Sequence, residues 1–333
     1  MDFIQQYIAA LPKAELHLHL EGAIEPETLS HLAVRHRTPL AAGGAGAVEA
    51  LYRTQSFPAF LEAFKTVCQH LVTPADYEFV TYRVLRRLAE QNVRYAEIIL
   101  AAGVMLWKGQ NIVTMFTGID AGAQRARQEC GIQARWIFDA VRHFPREQAW
   151  EVARAAAALR SRGVIGLGIG GDETRGPAGQ FREIYQFARQ QGLRLHAHAG
   201  ETVGPESIWS ALQELGAERI GHGLTAMQDP RLVQHLAETG TPVEICLTSN
   251  LRTGGVQHLS EHPLRRYFEA GVNVSLHSDD PTLFGTNLNQ EYLLAHQTFG
   301  FTLEELRRLA MNSFAASFLS PPEKRAYLAA FAA

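Results

Sequence analysis

Two histidines two residues apart inside an apolar run, in "AELHLHLEG" (14–22), pose the first chemical problem of this chain. Residues i and i+2 of a β-strand face the same way. His17 and His19 therefore share one face, and a metal ion would satisfy both imidazoles at once. Other reactive side chains sit at comparable places. "HAHAGE" carries His198 and Glu201, "GHG" carries His222, and "HSDDP" carries Asp279 and Asp280. Zinc accepts imidazole nitrogen and carboxylate oxygen. His17, His19, His198 and Asp279 make a ligand set with room for a water. Zinc lowers the pKa of such a water from about 15.7 to about 7. His222 suits the handling of its proton, and Glu201 the protonation of the atom that receives negative charge. Asp280 can help to hold water or substrate.

These residues need elements to carry them. Short apolar runs at 14–20, 93–100, 132–140, 164–170, 193–199, 219–223, 242–247 and 272–280 read as strands. Helical periodicity fills the gaps, as in "PREQAWEVARAAAALRSRG" and "PESIWSALQELGAE". Eight strands separated by helices argue for an α/β fold, a (β/α)8 TIM-type barrel, with an open doubly wound sheet as the alternative. "GLGIGGDE" (166–173) lacks the full glycine phrasing of a dinucleotide site. In a barrel, catalytic groups gather at the C-terminal ends of the strands. Strands one, five, six and eight all end in ligand-type residues, so one rim collects them. Residues 50–91 read as a helical insertion after strand one, and 41–47 as a flexible connector. No linker divides the chain, so 1–333 is expected to be a single domain.

Composition narrows the setting. The 333 residues are 46% hydrophobic, with 31 basic and 34 acidic side chains and a formal charge of −3. No basic block suggests a nucleic-acid surface. Cys68, Cys130 and Cys246 have no metal-type spacing and are an odd number, which favours a reducing cytoplasm. No apolar run is long enough for a membrane span, and the N-terminal residues lack a signal-peptide pattern. None of the four lysines, Lys13, Lys65, Lys108 and Lys324, sits at the C-terminal end of an expected strand. A bridging modified lysine of the two-metal kind is therefore absent, and one Zn2+ per chain is expected.

Other histidines have plainer readings. His31, His36, His70, His143, His235, His258, His262 and His296 fall in helical or loop segments and read as structural or exposed. His196 and His277 share strand parity with His198 and Asp279 and read as packed core residues. Asp172 and Glu173 either cap the segment that follows or serve the site. Phe57, Phe60, Leu61 and Phe64 have the spacing of a packed helix face, part of which could lid the site.

Together the motifs "ELHLHLEGAI", "GDE", "HAGE", "GPESIWSALQELGAERIGHG", "EICLTSNLRTG" and "SDDP" resemble the adenosine deaminase family of the amidohydrolase superfamily, from about residue 11 to about residue 320. The resemblance implies a zinc barrel that hydrolyses the 6-amino group of a purine. It implies His17, His19, His198 and Asp279 as zinc ligands and Glu201 as the acid at N1. It implies that His222 orients the attacking water, that Asp280 accepts from the base at N7 and that the Gly171 amide contacts N3. An inactive zinc-binding homologue is the reading from another class, and the presence of Glu201, His222 and Asp280 argues against it.

Two places depart from true adenosine deaminases. Those usually read "HLDG", with an aspartate at the ribose 5′-hydroxyl, where this chain has "HLEG" and Glu21. They usually read "E-x-R-x-S-P" after strand two, where this chain has "EIILAAG". Deaminases of 6-aminodeoxyfutalosine, whose 5′ end bears a carboxyphenyl ketone in place of that hydroxyl, fit these departures best. Adenosine stands second. Adenine deaminases, which share the "HLEG" start, stand third.

Overall fold

The computed structural model describes residues 2–53 and 57–331, apart from the side chains of Ala45 and Phe57. Eight parallel strands follow chain order: β1 (Lys13–His19), β2 (Val93–Leu100), β3 (Gln133–Val141), β4 (Val164–Gly170), β5 (Arg194–Ala199), β6 (Arg219–His222), β7 (Val243–Ile245) and β8 (Val274–Leu276). A bridge between Leu18 and Asp279 joins the last strand to the first. Two backbone bonds secure it, from Asp279 N–H to the His17 carbonyl and from His19 N–H to the Asp279 carbonyl, each at 2.9 Å. The result is the expected (β/α)8 barrel.

Both faces of a strand in such a barrel are buried, one against the helices and one against the lumen. In β1, Ala14, Leu16 and Leu18 join the apolar core. The residues between them, Glu15 and His17, bond across the lumen to His277 on one side and Glu244 on the other. The lumen is thus unusually polar, and its charges are paired. Arg219 lies between Glu97 and Glu244, and Glu97 also accepts from the Tyr95 hydroxyl at 2.8 Å and the Phe318 amide at 2.6 Å. A buried charge without such partners would be strongly destabilising.

Outside the barrel, the helices Pro74–Glu90 and Ile112–Cys130 pack closely. Gly118 permits this: a Cβ there would lie 1.8 Å from the Pro74 carbonyl oxygen. Residues 41–47 differ from the expected flexible connector. They fall in two helices, Pro39–Ala42 and Gly44–Leu51, because the alanine content favours helix and Gly44 turns the junction at φ +65°. Where it is described, the insertion after strand one is built of helices joined by short turns, residues 54–56 lying outside the described residues. Strand eight is shorter than the expected 272–280, because the chain leaves the ladder after Leu276 to reach β1.

Candidate active site

The C-terminal ends of β1, β5 and β6 and the loop after β8 meet at one end of the barrel, as expected. His19 Nε2 lies 3.2 Å from His198 Nε2 and 3.4 Å from Asp279 Oδ1. His17 Nε2 also lies 3.4 Å from Asp279 Oδ1, and it is a buried nitrogen with no hydrogen-bond partner. His17, His198, His222 and Asp279 offer atoms within 4.8 Å of one another. The outward ring nitrogens are already held. His17 Nδ1 meets Glu244 Oε2 at 2.7 Å, and His198 Nδ1 donates to the Ile169 carbonyl at 2.9 Å. Ligating histidines are oriented in this way, with the inner nitrogen free for the metal. Burial pushes the His19 imidazole down to about 3 and His198 well below its usual range. Both are then neutral, as ligation requires. The Nε2 atoms of His17, His19 and His198 converge with the Asp279 carboxylate, and this donor set fits a divalent cation.

Two of these strand ends carry backbone strain. His222 and Asp279 adopt φ of +64° and +61°. A non-glycine residue in the left-handed region costs on the order of 1–3 kcal/mol and persists where its surroundings hold it. The strain aims both side chains at the same point: His222 Nε2 lies 3.9 Å from Asp279 Oδ2 and 3.8 Å from Glu201 Oε2.

Glu201 is held from behind. Glu173 accepts from the amides of Gly200 at 2.9 Å, Glu201 at 3.0 Å and Thr202 at 2.8 Å, and from the Ser207 hydroxyl at 2.6 Å. Of its two sequence readings, Glu173 therefore serves the site, as the clamp of the loop that carries Glu201. Asp172 instead bonds locally to Thr174. Burial, with the Asp279 and Glu173 carboxylates nearby, pushes Glu201 up to about 8. It is mostly protonated at neutral pH and can act as an acid. Asp280 is also raised, first by burial and then by Asp279 and Glu21. Gly22 makes room for it, since a Cβ at Gly22 would lie 1.7 Å from Asp280 Oδ1.

A cavity of about 370 Å3 opens above these groups. His19, His198, Glu201, His222, Asp279, Asp280 and Gly171 line its base. Phe60, Leu61 and Phe64 from the helix Phe57–Gln69 cover one side, so this apolar face does lid the site. Trp107 and Phe144, with ring centroids 6.4 Å apart and roughly parallel, stand at the mouth with Lys65, whose ammonium is 5.9 Å from the Trp107 ring.

Glu21 does not line this cavity. Its Oε1 accepts from the Ala101 amide at 3.2 Å, and its Oε2 is buried without a partner. His196 and His277 are packed core residues as expected, His196 on Glu244 at 2.8 Å and His277 on Glu15 at 3.0 Å. His143, read as structural or exposed, lines the cavity instead and accepts from the Asp172 amide at 3.3 Å. Sequence reasoning passed over Asp139 and Glu244. Asp139 lines the cavity 3.5 Å from His198 Nδ1, and burial pushes it up to about 8. The signal for both was a lone carboxylate inside an apolar strand, in "WIFDA" and "PVEICL".

The sequence profile described as adenosine deaminase matches residues 12–332. The chain belongs to the adenosine deaminase family. It is a hydrolytic deaminase of the amidohydrolase type. Among curated relatives, the aminodeoxyfutalosine deaminase of Streptomyces avermitilis is 40% identical over 323 residues, covering 96% of this chain and 90% of that one. The crystal structure of an adenine deaminase from Arthrobacter aurescens matches with a TM-score of 0.92 at 32% identity, covering 96% of this chain and 98% of that one. An amidohydrolase from Burkholderia ambifaria, solved with bound Zn, matches with a TM-score of 0.92 at 29% identity, covering 100% and 93%. Within the family, the metal-type cluster, Glu201, His222 and Asp280 stand together at one rim in this chain. Among the described residues, no helix is long and apolar enough to cross a membrane.

Proposed function

We propose that this deaminase removes the 6-amino group of an adenine nucleoside modified at its 5′ end, with 6-aminodeoxyfutalosine as the substrate. The observation that carries the deaminase chemistry is the meeting of Glu201, His222 and Asp280 with His19, His198 and Asp279 at one cavity, with His17 buried 3.4 Å from Asp279. One zinc ion is the cofactor we assign to the cluster. When bound, it supplies Lewis-acid activation of a water and electrostatic stabilisation of developing negative charge.

The chain's own residues do the rest. Glu201 gives its proton to N1 as a water oxygen bonds to C6. His222 orients that water. One water proton reaches the amino nitrogen and the other returns to Glu201, the C6–N bond breaks, and ammonia leaves a 6-oxo purine that keeps the proton on N1. The N7 of an N9-substituted adenine carries no hydrogen. The contact expected at N7 therefore runs the other way: Asp280, raised first by burial and then by the Asp279 and Glu21 carboxylates, is the donor. The Gly171 amide is assigned to N3, at a residue lining the base.

Three features support the 5′-modified substrate. Glu21 does not line the cavity, and its Oε1 is taken by the Ala101 amide, so it offers no acceptor to a sugar hydroxyl there. The cavity volume falls in the range that holds drug-sized ligands, more than a free base requires. Its mouth, with Trp107, Phe144 and Lys65, offers ring surface and a cation to an aryl carboxylate. The relative named aminodeoxyfutalosine deaminase, at 40% identity, supports the same choice. Unpaired Cys68, Cys130 and Cys246 agree with a cytoplasmic enzyme.

Steady-state deamination of 6-aminodeoxyfutalosine, adenosine and adenine by the zinc-loaded enzyme tests the reading. A kcat/KM at least 100-fold higher for 6-aminodeoxyfutalosine than for adenosine is expected. A preference for adenosine or adenine would overturn the substrate, and no turnover of any aminopurine would leave the inactive metal-binding homologue.

A further inference from the structure

A buried chain of hydrogen bonds runs away from the site behind His222. His222 Nδ1 lies 3.2 Å from Asn250 Nδ2. Asn250 Oδ1 lies 3.1 Å from His262 Nε2. His262 Nδ1 lies 3.1 Å from the backbone nitrogen of Leu264. His222, Asn250 and His262 are all buried.

One end of this chain has a fixed polarity. The Leu264 N–H can only donate, so His262 Nδ1 must accept. A neutral imidazole that accepts at one nitrogen donates at the other. His262 Nε2–H therefore donates to the Asn250 carbonyl oxygen. Asn250 must then present its amide nitrogen to His222 and donate to Nδ1. His222 accepts there, and its proton sits on Nε2, the atom that faces Glu201 and Asp279. Burial, with His222 and Arg266 nearby, pushes His262 down to about 3, so the neutral form is the one present at physiological pH.

We infer that Leu264, His262 and Asn250 form a tautomer relay that fixes the resting His222 as a hydrogen-bond donor at Nε2, aimed at the oxygen that adds to C6. His262 and Asn250 are positioning residues in this scheme. The donor role rests on the deaminase reading for the identity of the receiving oxygen, whereas the tautomer itself does not. It sharpens the expected role of His222: in the resting enzyme Nε2 gives a hydrogen bond to the water or adduct oxygen and is not a free base.

The test is nitrogen NMR of the zinc-loaded enzyme labelled at histidine, with kinetics of two variant pairs. The His222 signals should show protonated Nε2 and unprotonated Nδ1. Asn250→Asp substitutes an acceptor for the donor at nearly constant shape. It should move the His222 proton to Nδ1 and lower kcat at least 100-fold with zinc content retained. His262→Gln can still donate to Asn250 Oδ1 and should stay within about 5-fold of wild-type kcat, while His262→Ala should lose at least 10-fold. A His222 protonated at Nδ1 in the wild type would overturn the relay. So would wild-type kcat in Asn250→Asp, or equal losses in the two His262 variants. The NMR result needs no turnover, so failure of the substrate assignment and failure of the relay are separable.

Discussion

Glu21 accepts the Ala101 amide at 3.2 Å, and this one contact joins the two places where the chain departs from adenosine deaminases. Glu21 belongs to the "HLEG" motif after β1, and Ala101 opens the "AAG" stretch after β2. The longer glutamate side chain spans the gap between the two strand ends. The departures are one structural unit, in which Ala101 lines the cavity and Glu21 holds its amide from outside the lining.

That unit has a titration signature. Burial pushes Glu21 up to about 7, whereas an unfolded glutamate titrates near 4.5. The folded state then holds the neutral form more tightly. Its contribution is fully present below the unfolded value and is lost as pH rises to about 7. Glu21→Gln retains an oxygen for Ala101 and removes the charge. It should match the wild type in thermal unfolding at pH 4.5 and exceed it at pH 8, by up to about 3 kcal/mol. A gap that stays constant with pH would contradict the assignment.

Glu201 should behave as an acid and not as a ligand. Glu201→Gln is expected to keep its zinc, by elemental analysis, and to lose about 10²–10⁴ in kcat. Because Glu201 is pushed up to about 8 and acts in its protonated form, wild-type kcat/KM should fall as pH rises above about 8. A variant with near-normal turnover would remove Glu201 from the chemistry.

The clamp on the Glu201 loop can be released separately. Glu173→Ala strips the acceptor from the Gly200, Glu201 and Thr202 amides. Unpaired buried donors cost about 1–3 kcal/mol each, so both the melting temperature and kcat should drop. Zinc content should be unchanged, because Glu173 touches none of the proposed ligands through the bonds it makes here. Loss of zinc with kcat would instead make Glu173 part of the metal site.

Metal retention divides Asp279 from the residue behind His17. Asp279→Ala should lose both zinc and activity. Glu244 bonds His17 Nδ1 at 2.7 Å and lies outside the ligand set. Glu244→Gln is expected to weaken zinc about 10–100-fold in chelator competition, as is usual when a ligand's orienting partner is changed. Full occupancy in Asp279→Ala would disprove its place as a ligand.

Much of this arrangement could be read before the structure. His17 and His19 declared themselves because strand alternation puts them on one face, and His198, His222 and Asp279 because each stands at a strand end. Glu244 and Asp139 were not legible in the same way. Each is a single carboxylate whose partner lies across the lumen, so no neighbour in sequence marks it. The relay behind His222 joins the helix Leu247–Arg252, which carries Asn250, to His262 and the start of the helix Leu264–Glu269, a pairing that no local pattern specifies. Strand eight ends early for a related reason: after Leu276 the chain turns, and Asp279 at φ +61° closes the barrel onto Leu18 and does not extend the ladder.

The most direct test of the central claim is a competition. Zinc-loaded enzyme is given 6-aminodeoxyfutalosine, adenosine and adenine in equal concentration, and the three 6-oxo products are quantified over time. The 6-aminodeoxyfutalosine should be consumed almost completely before either rival is measurably converted. Consumption of adenosine or adenine first would contradict a pocket built for a 5′-modified nucleoside, with its Ala101 wall held by Glu21.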